Sequence, residues 1–212
     1  GPATASQACA AAGPAGRAWL EWTPRRLAAS GVFWRLGAAY ALAMMGVMGV
    51  MFQLAPRFQD EGWGAGAALN LVAATALLGA AGKYLWGLLC DRGRPHRVVA
   101  LMMAANGAGM ALGLAVGSAW GAAAFVLVFG FAMGGVMSTY PIITAHLFGR
   151  ASFPLVFRFL LMFLLLQVAG YLLMGQSHAL WGSYDLAYAV FVVLDLAAAA
   201  LVWTLPPADP GP

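Results

Sequence analysis

From Val98 to Gly149 the chain carries no Asp, Glu, Lys or Arg. A helix crosses a hydrocarbon core of roughly 30 Å with about 20 apolar residues, so this stretch holds two crossings with a turn between them. Gly117-Ser118-Ala119-Trp120-Gly121 supplies the punctuation for that turn. Three further charge-free stretches, 36–56, 62–82 and 159–184, each hold one crossing. A last apolar segment, about 186–205, is interrupted only by Asp195 and stops at Pro206-Pro207. The expected spans are about 33–55, 65–89, 98–117, 121–144, 154–175 and 185–205. The fold class is therefore all-α: a polytopic membrane protein of six transmembrane helices, with no room for strands.

Composition excludes the soluble alternative. Charged residues are 8% of the chain and hydrophobic ones 63%, against roughly 25% charged in a soluble protein. The net charge of +4 does not indicate nucleic acid, because the basic residues sit between apolar runs. Cys9 and Cys90 give neither a disulfide framework nor a ligand spacing, and His96, His146 and His178 are far apart. No HExxH, CxxC or P-loop is present, so no metal and no cofactor is expected. Ser177, His178 and Asp185 are close in sequence but lack an oxyanion-hole signature, and Ser118 and Ser138 lack a protease context. The chain is not expected to be an enzyme. It opens on Gly1, without a methionine or the apolar core of a signal peptide, and reads as a fragment or a processed product.

Orientation follows from the basic residues of the short loops. Arg17, Arg25, Arg26 and Arg35 precede or open the first span, Arg92, Arg94 and Arg97 lie between the second and third, and Arg150 and Arg158 flank the turn between the fourth and fifth. Only Arg57 falls on the opposite side. Both termini are expected to be cytoplasmic, in the plasma membrane. Residues 1–31 then form a cytoplasmic juxtamembrane segment, 32–205 the six-helix bundle and 206–212 a cytoplasmic tail.

Within the spans, Lys83 carries the sharpest signal. A lysine near the bilayer centre costs roughly 3 kcal/mol on insertion scales. Lys83 precedes Asp91 by eight residues, about 12 Å of helix, and side chains tilt towards their helix N-terminus, so its amine is aimed away from the nearer surface. Its helical neighbours Ala76, Gly79, Ala80, Gly87 and Cys90 are nearly all small; such a face borders a cavity or packs another helix closely. Asp195, mid-span in the sixth helix, is a candidate for proton coupling or for a structural role. Tyr140 and Gln167 are neutral hydrogen-bonding groups at cavity depth. Asn70 and Asn106 read as interhelical hydrogen bonds. Gly109, Gly113 and Gly117 recur every four residues on one face of the third span, a stripe that lets another backbone approach.

The segment Gly87-Leu-Leu-Cys-Asp91-Arg92-Gly93-Arg94-Pro-His-Arg97 resembles the G-x-x-x-D-R-x-G-R-R loop of the major facilitator superfamily, found there between the second and third helices of each six-helix half. Here Gly93-Arg94 follows Arg92 directly, so that either one residue of the family pattern is missing or its later glycine is replaced. Trp22-Thr23 through Phe33-Trp34-Arg35-Leu36, then Gly46, Gly49, Gln53, Pro56 and Gly62, resemble the seventh helix of the oxalate/formate and monocarboxylate branches. Gly134-Gly135 through Tyr140-Pro141 and His146-Leu-Phe-Gly149 resemble their tenth helix and the loop after it, with His146 where an acidic residue is usual.

The resemblance covers about residues 20–205. It implies one half-bundle of a major facilitator fold, the C-terminal half of a secondary transporter working by alternating access. Its partners would be the lipid bilayer, a small anionic substrate such as a mono- or dicarboxylate, and the missing N-terminal six-helix half, with no nucleic acid. Gly87, Asp91, Arg92 and Arg94 would form the gating loop. In those branches a cation, commonly Arg, stands four residues before the loop glycine and eight before the acidic residue, where it binds a substrate carboxylate. Lys83 has both spacings, and as Lys it offers a point charge without a bidentate grip. Tyr140 and Gln167 would line the same cavity. The alternatives are a neutral or drug-like substrate with Lys83 in an internal salt bridge, or a non-transporting six-helix scaffold or receptor.

Overall fold

In a computed structural model, which describes residues 22–206, the chain starts with a short helix, α1 (Pro24–Ala28), and then crosses back and forth six times. The first two crossings are α2 (Gly31–Asp60) and α3 (Ala65–Arg92). The third is α4 (Pro95–Leu112), continued by a 3₁₀ turn, Gly113–Ala115, and the fourth is α5 (Ala119–Phe148). The fifth is broken into α6 (Phe153–Phe163), a 3₁₀ segment, Leu164–Gln167, and α7 (Val168–Trp181), and the sixth is α8 (Asp185–Trp203). All six are long and apolar enough to cross a membrane, and no strand occurs among the described residues. The protein is an integral membrane protein of the expected class.

Local chemistry sets the helix ends. Ser30 and Ser118 cap α2 and α5 by accepting from the backbone N–H of Phe33 and Gly121, and Pro95 opens α4, where its missing N–H is no loss. Gly182, at φ 64°, stops α7 in the left-handed conformation that glycine adopts without strain. The helices run further than the apolar runs suggest. Asp60 lies inside α2, and Asp91 and Arg92 complete the last turn of α3, leaving Gly93-Arg94 as the whole connection to α4. Ser177 and His178 belong to α7 rather than to a loop. Polar side chains at the ends of a span reach water while their backbone stays helical, so charge marks the end of the apolar run and not the end of the helix.

The packing order is α3, α5, α4, α8, α2, then the fifth span, with α2 also touching α3 and α5. The two spans at the ends of this order, α3 and the fifth, are the least buried. Close approach is made by missing side chains. A Cβ on Gly82 would collide with the Phe131 carbonyl, one on Gly134 with the backbone of Gly79, and one on Gly170 with the Met45 carbonyl. Trp86 fixes the α3–α5 seam by donating its indole N–H to the Phe131 carbonyl at 3.1 Å. Gly109 of α4 and Gly113 of the 3₁₀ turn serve close packing, as expected, but not against one helix, while Gly117 lies beyond both and is exposed. Gly109 meets the Phe129 backbone of α5, Gly113 the Tyr188 ring of α8 and Gly117 the Glu61 carboxylate. The 3₁₀ turn at Gly113 ends the regular four-residue register on which the single-face expectation rests.

Gly134→Ala should therefore lower stability by about 1–3 kcal/mol, the usual range for overpacking. Gly175→Ala, whose Cβ would meet nothing within 4 Å, should be neutral or stabilising by up to about 1 kcal/mol through helix propensity. Thermal unfolding of the purified variants in one detergent compares them. Equal effects from the two substitutions would contradict the packing described.

Candidate functional site

Lys83 is exposed on α3, on the side the α3–α5 seam leaves uncovered. It makes no hydrogen bond or ion pair among the described residues. Its small neighbours divide between the two expected roles. Gly79 and Cys90 are buried, with Gly79 packed against Gly130 and Met133 of α5, whereas Ala76 and Ala80 are open and Gly87 is half-buried near Ile142. The cation is thus exposed beside its own helix seam.

The described acidic residues are all elsewhere. Asp60 meets His178 at 3.1 Å. Glu61 and Asp185 both reach Arg57, at 3.1 and 2.8 Å. Asp91 is exposed at the end of α3. Asp195 is buried between α8 and α4, where it accepts from the Asn106 amide at 3.0 Å. The internal partner that one alternative assigns to Lys83 is therefore not Asp195.

Tyr140 is placed differently from the sequence expectation. It is buried, stacked on Tyr40 of α2 with ring centroids 3.9 Å apart, and its hydroxyl donates to the Leu160 carbonyl of α6 at 3.0 Å. Tyr40 in turn pairs with Thr139 at 2.8 Å. Tyr140 ties α5 and α2 to the fifth span and does not line the open face. An aromatic with one polar atom satisfies a helix junction as well as a ligand, and sequence alone does not separate the two. Gln167 is half-buried in the 3₁₀ segment of the fifth span, which packs on α2. Lys83 and Gln167 thus sit on the two edge spans, on either side of α2.

At the end of the bundle that carries most of the arginines, Asp91 and Gly93 border a cleft of about 650 Å³ with His146 and Arg150 across it. Gly93 caps α3 and Arg94 sits at the N-cap of α4, while Arg92 and Arg94 are exposed. Asp91 makes no ion pair among the described residues. The compact loop is in place, without a charge contact that locks it.

The opposite end holds a polar cluster that sequence reading missed. Arg57 is buried beneath its two carboxylates, donates to the Gly113 carbonyl at 3.3 Å and lies 5.6 Å from the Tyr188 ring centroid. It joins the ends of α2, α4 and α8. Tyr184, stacked on His178, has its hydroxyl pushed up by burial and by Asp60, an effect offset in part by Arg57. The apparent Ser-His-Asp grouping does not assemble: Ser177 donates to the Ser183 carbonyl, His178 meets Asp60 and Asp185 meets Arg57.

The family model described as Major Facilitator Superfamily matches residues 4–157. No curated protein matches the chain.

Proposed function

Because this chain belongs to the major facilitator superfamily, we propose that it is the C-terminal half of a transporter that moves small organic anions, mono- or dicarboxylates, by alternating access. The observation that carries the reading is Lys83: a cation inside a span, exposed, with no acidic partner among the described residues. A lone charge in low dielectric is costly and a paired one less so, so the counter-charge comes from outside this bundle, and a substrate carboxylate supplies it. Gln167 adds a neutral hydrogen bond from the other edge span. Tyr140 acts as a positioning residue that holds the fifth span in place. Asp91, Arg92 and Arg94, with Gly87 at the loop's helical base, gate the site by making and breaking contacts across the basic cleft. Equilibrium binding of a carboxylate panel to the assembled transporter tests the substrate class. Preference for neutral analogues of the same shape would reject it.

We further propose, from the nine-to-one distribution of arginines, that both termini are cytoplasmic, and that the bundle lies in the plasma membrane. The arginines of the loops belong to one end of the bundle, whereas Arg57 is held by Asp185 and Glu61 and adds little net charge to the other. Cysteines at the exposed positions Gln59 and Gln176 are expected to react with an impermeant thiol reagent from outside. Those at the exposed His146 and Ala151 are expected to react only after permeabilisation. Labelling of Gln59→Cys from the inside alone would invert the topology.

A further inference from the structure

Asp195 and Asn106 are each fully buried, on α8 and α4. Only one hydrogen bond joins them, from Asn106 Nδ2 to Asp195 Oδ2 at 3.0 Å. The remaining oxygens, Asn106 Oδ1 and Asp195 Oδ1, have no partner among the described residues. A carboxamide and a carboxyl are planar forks of the same shape, so with one arm of each joined, a second bond between the free arms would close a ring. Two buried acceptors without a donor are unfavourable on both sides. One proton on Asp195 Oδ1 corrects both, donating to Asn106 Oδ1 while the amide N–H donates back.

We propose that Asp195 permanently holds this proton and forms a reciprocal carboxylic acid–carboxamide pair with Asn106, a neutral clamp between α4 and α8. Gly107 makes the pair reachable: a Cβ there would stand 3.1 Å from Asp195 Cβ, so the bare backbone lets the short aspartate side chain come within range of its neighbour. Among the described residues, the surroundings supply no competing charge. Asp195 lies ten residues into α8 from Asp185, about 15 Å along the axis. On the elements packed against α8, Arg57 is held by Asp185 and Glu61, and Asp60 by His178, at one end. Arg35 reaches the Thr204 carbonyl, Arg97 lies over Trp203, and His96 is in the first turn of α4, at the other. The proton is held by Asn106 and by the absence of water, which separates this group from a carboxyl that loads and unloads protons during transport. The clamp is independent of the anion reading, since Lys83 lies on α3, outside the α4–α8 seam.

Infrared difference spectra of the purified protein, wild type minus Asp195→Asn, test the assignment without any transport measurement. A protonated-acid carbonyl band that shifts in heavy water and persists across the pH range of the folded protein is expected. A carboxylate band, or an acid band that titrates within that range, overturns the proposal. Thermal unfolding supplies the second arm. Asp195→Asn rebuilds the ring as an amide pair and should unfold within about 2 °C of wild type, whereas Asn106→Leu strands the acid and should unfold about 4 °C or more below it. If Asp195→Asn falls as far as Asn106→Leu, the reciprocal pair is wrong.

Discussion

Replacing Lys83 by glutamine is expected to weaken carboxylate binding to the assembled transporter by roughly 10- to 100-fold, the equivalent of the 1.5–3 kcal/mol that a hydrogen bond to a charged group contributes. Folding should be little changed, because Lys83 is exposed and makes no hydrogen bond or ion pair among the described residues. Lys83→Arg keeps the charge with a different donor geometry and should retain part of the affinity. The competing account pairs Lys83 with an acidic residue of the other half. On that account Lys83→Gln destabilises the assembled protein, and neutralising the acidic partner restores it. Isothermal titration with a carboxylate and thermal unfolding on the same samples separate the two. A glutamine variant that folds normally and binds with unchanged affinity removes Lys83 from the anion site.

The spans were legible because burial in lipid leaves a one-dimensional mark: runs without charge, of a length fixed by the bilayer. The position of Lys83 within an apolar helix was legible for the same reason. Periodicity along one helix, however, says which residues share a face and not which neighbour that face meets. Gly109 and Gly113 share a stripe in sequence but touch different helices. Tyr140 looks the same in sequence whether its hydroxyl faces a ligand or the Leu160 carbonyl. The pairing of Asn106 with Asp195 spans 89 positions and leaves no local trace beyond two polar residues in apolar runs. Arg57 read as a loop charge, yet it is buried among groups from three helix ends. Each of these depends on the packing order of the helices, which is a tertiary property.

That packing order also sets the second large expectation: residues 1–212 alone, reconstituted in vesicles, should show no saturable uptake of a carboxylate. The bundle offers one wall. Its edge spans, α3 and the fifth, present Leu69, Leu77 and Tyr84 on one and Leu165, Leu166 and Leu172 on the other as exposed apolar side chains, with Lys83 among them. In a bilayer without a second bundle those leucines meet acyl chains at no penalty, but Lys83 meets them too, at roughly 3 kcal/mol. No water-filled path then separates the two sides, because a single wall encloses nothing and alternating access needs two bundles that rock about a shared site. Co-expression with a matching N-terminal half should cover both edge spans, enclose Lys83 and restore uptake from background to a saturable signal. Crosslinking between cysteines at Leu77 or Leu165 and the added half would report the same assembly independently of substrate. Saturable uptake by the isolated chain would instead show that two copies of it close the cavity. The paired edges would then be α3 and the fifth span of identical bundles, and a crosslink from Leu77→Cys of one copy to Leu165→Cys of another would identify them.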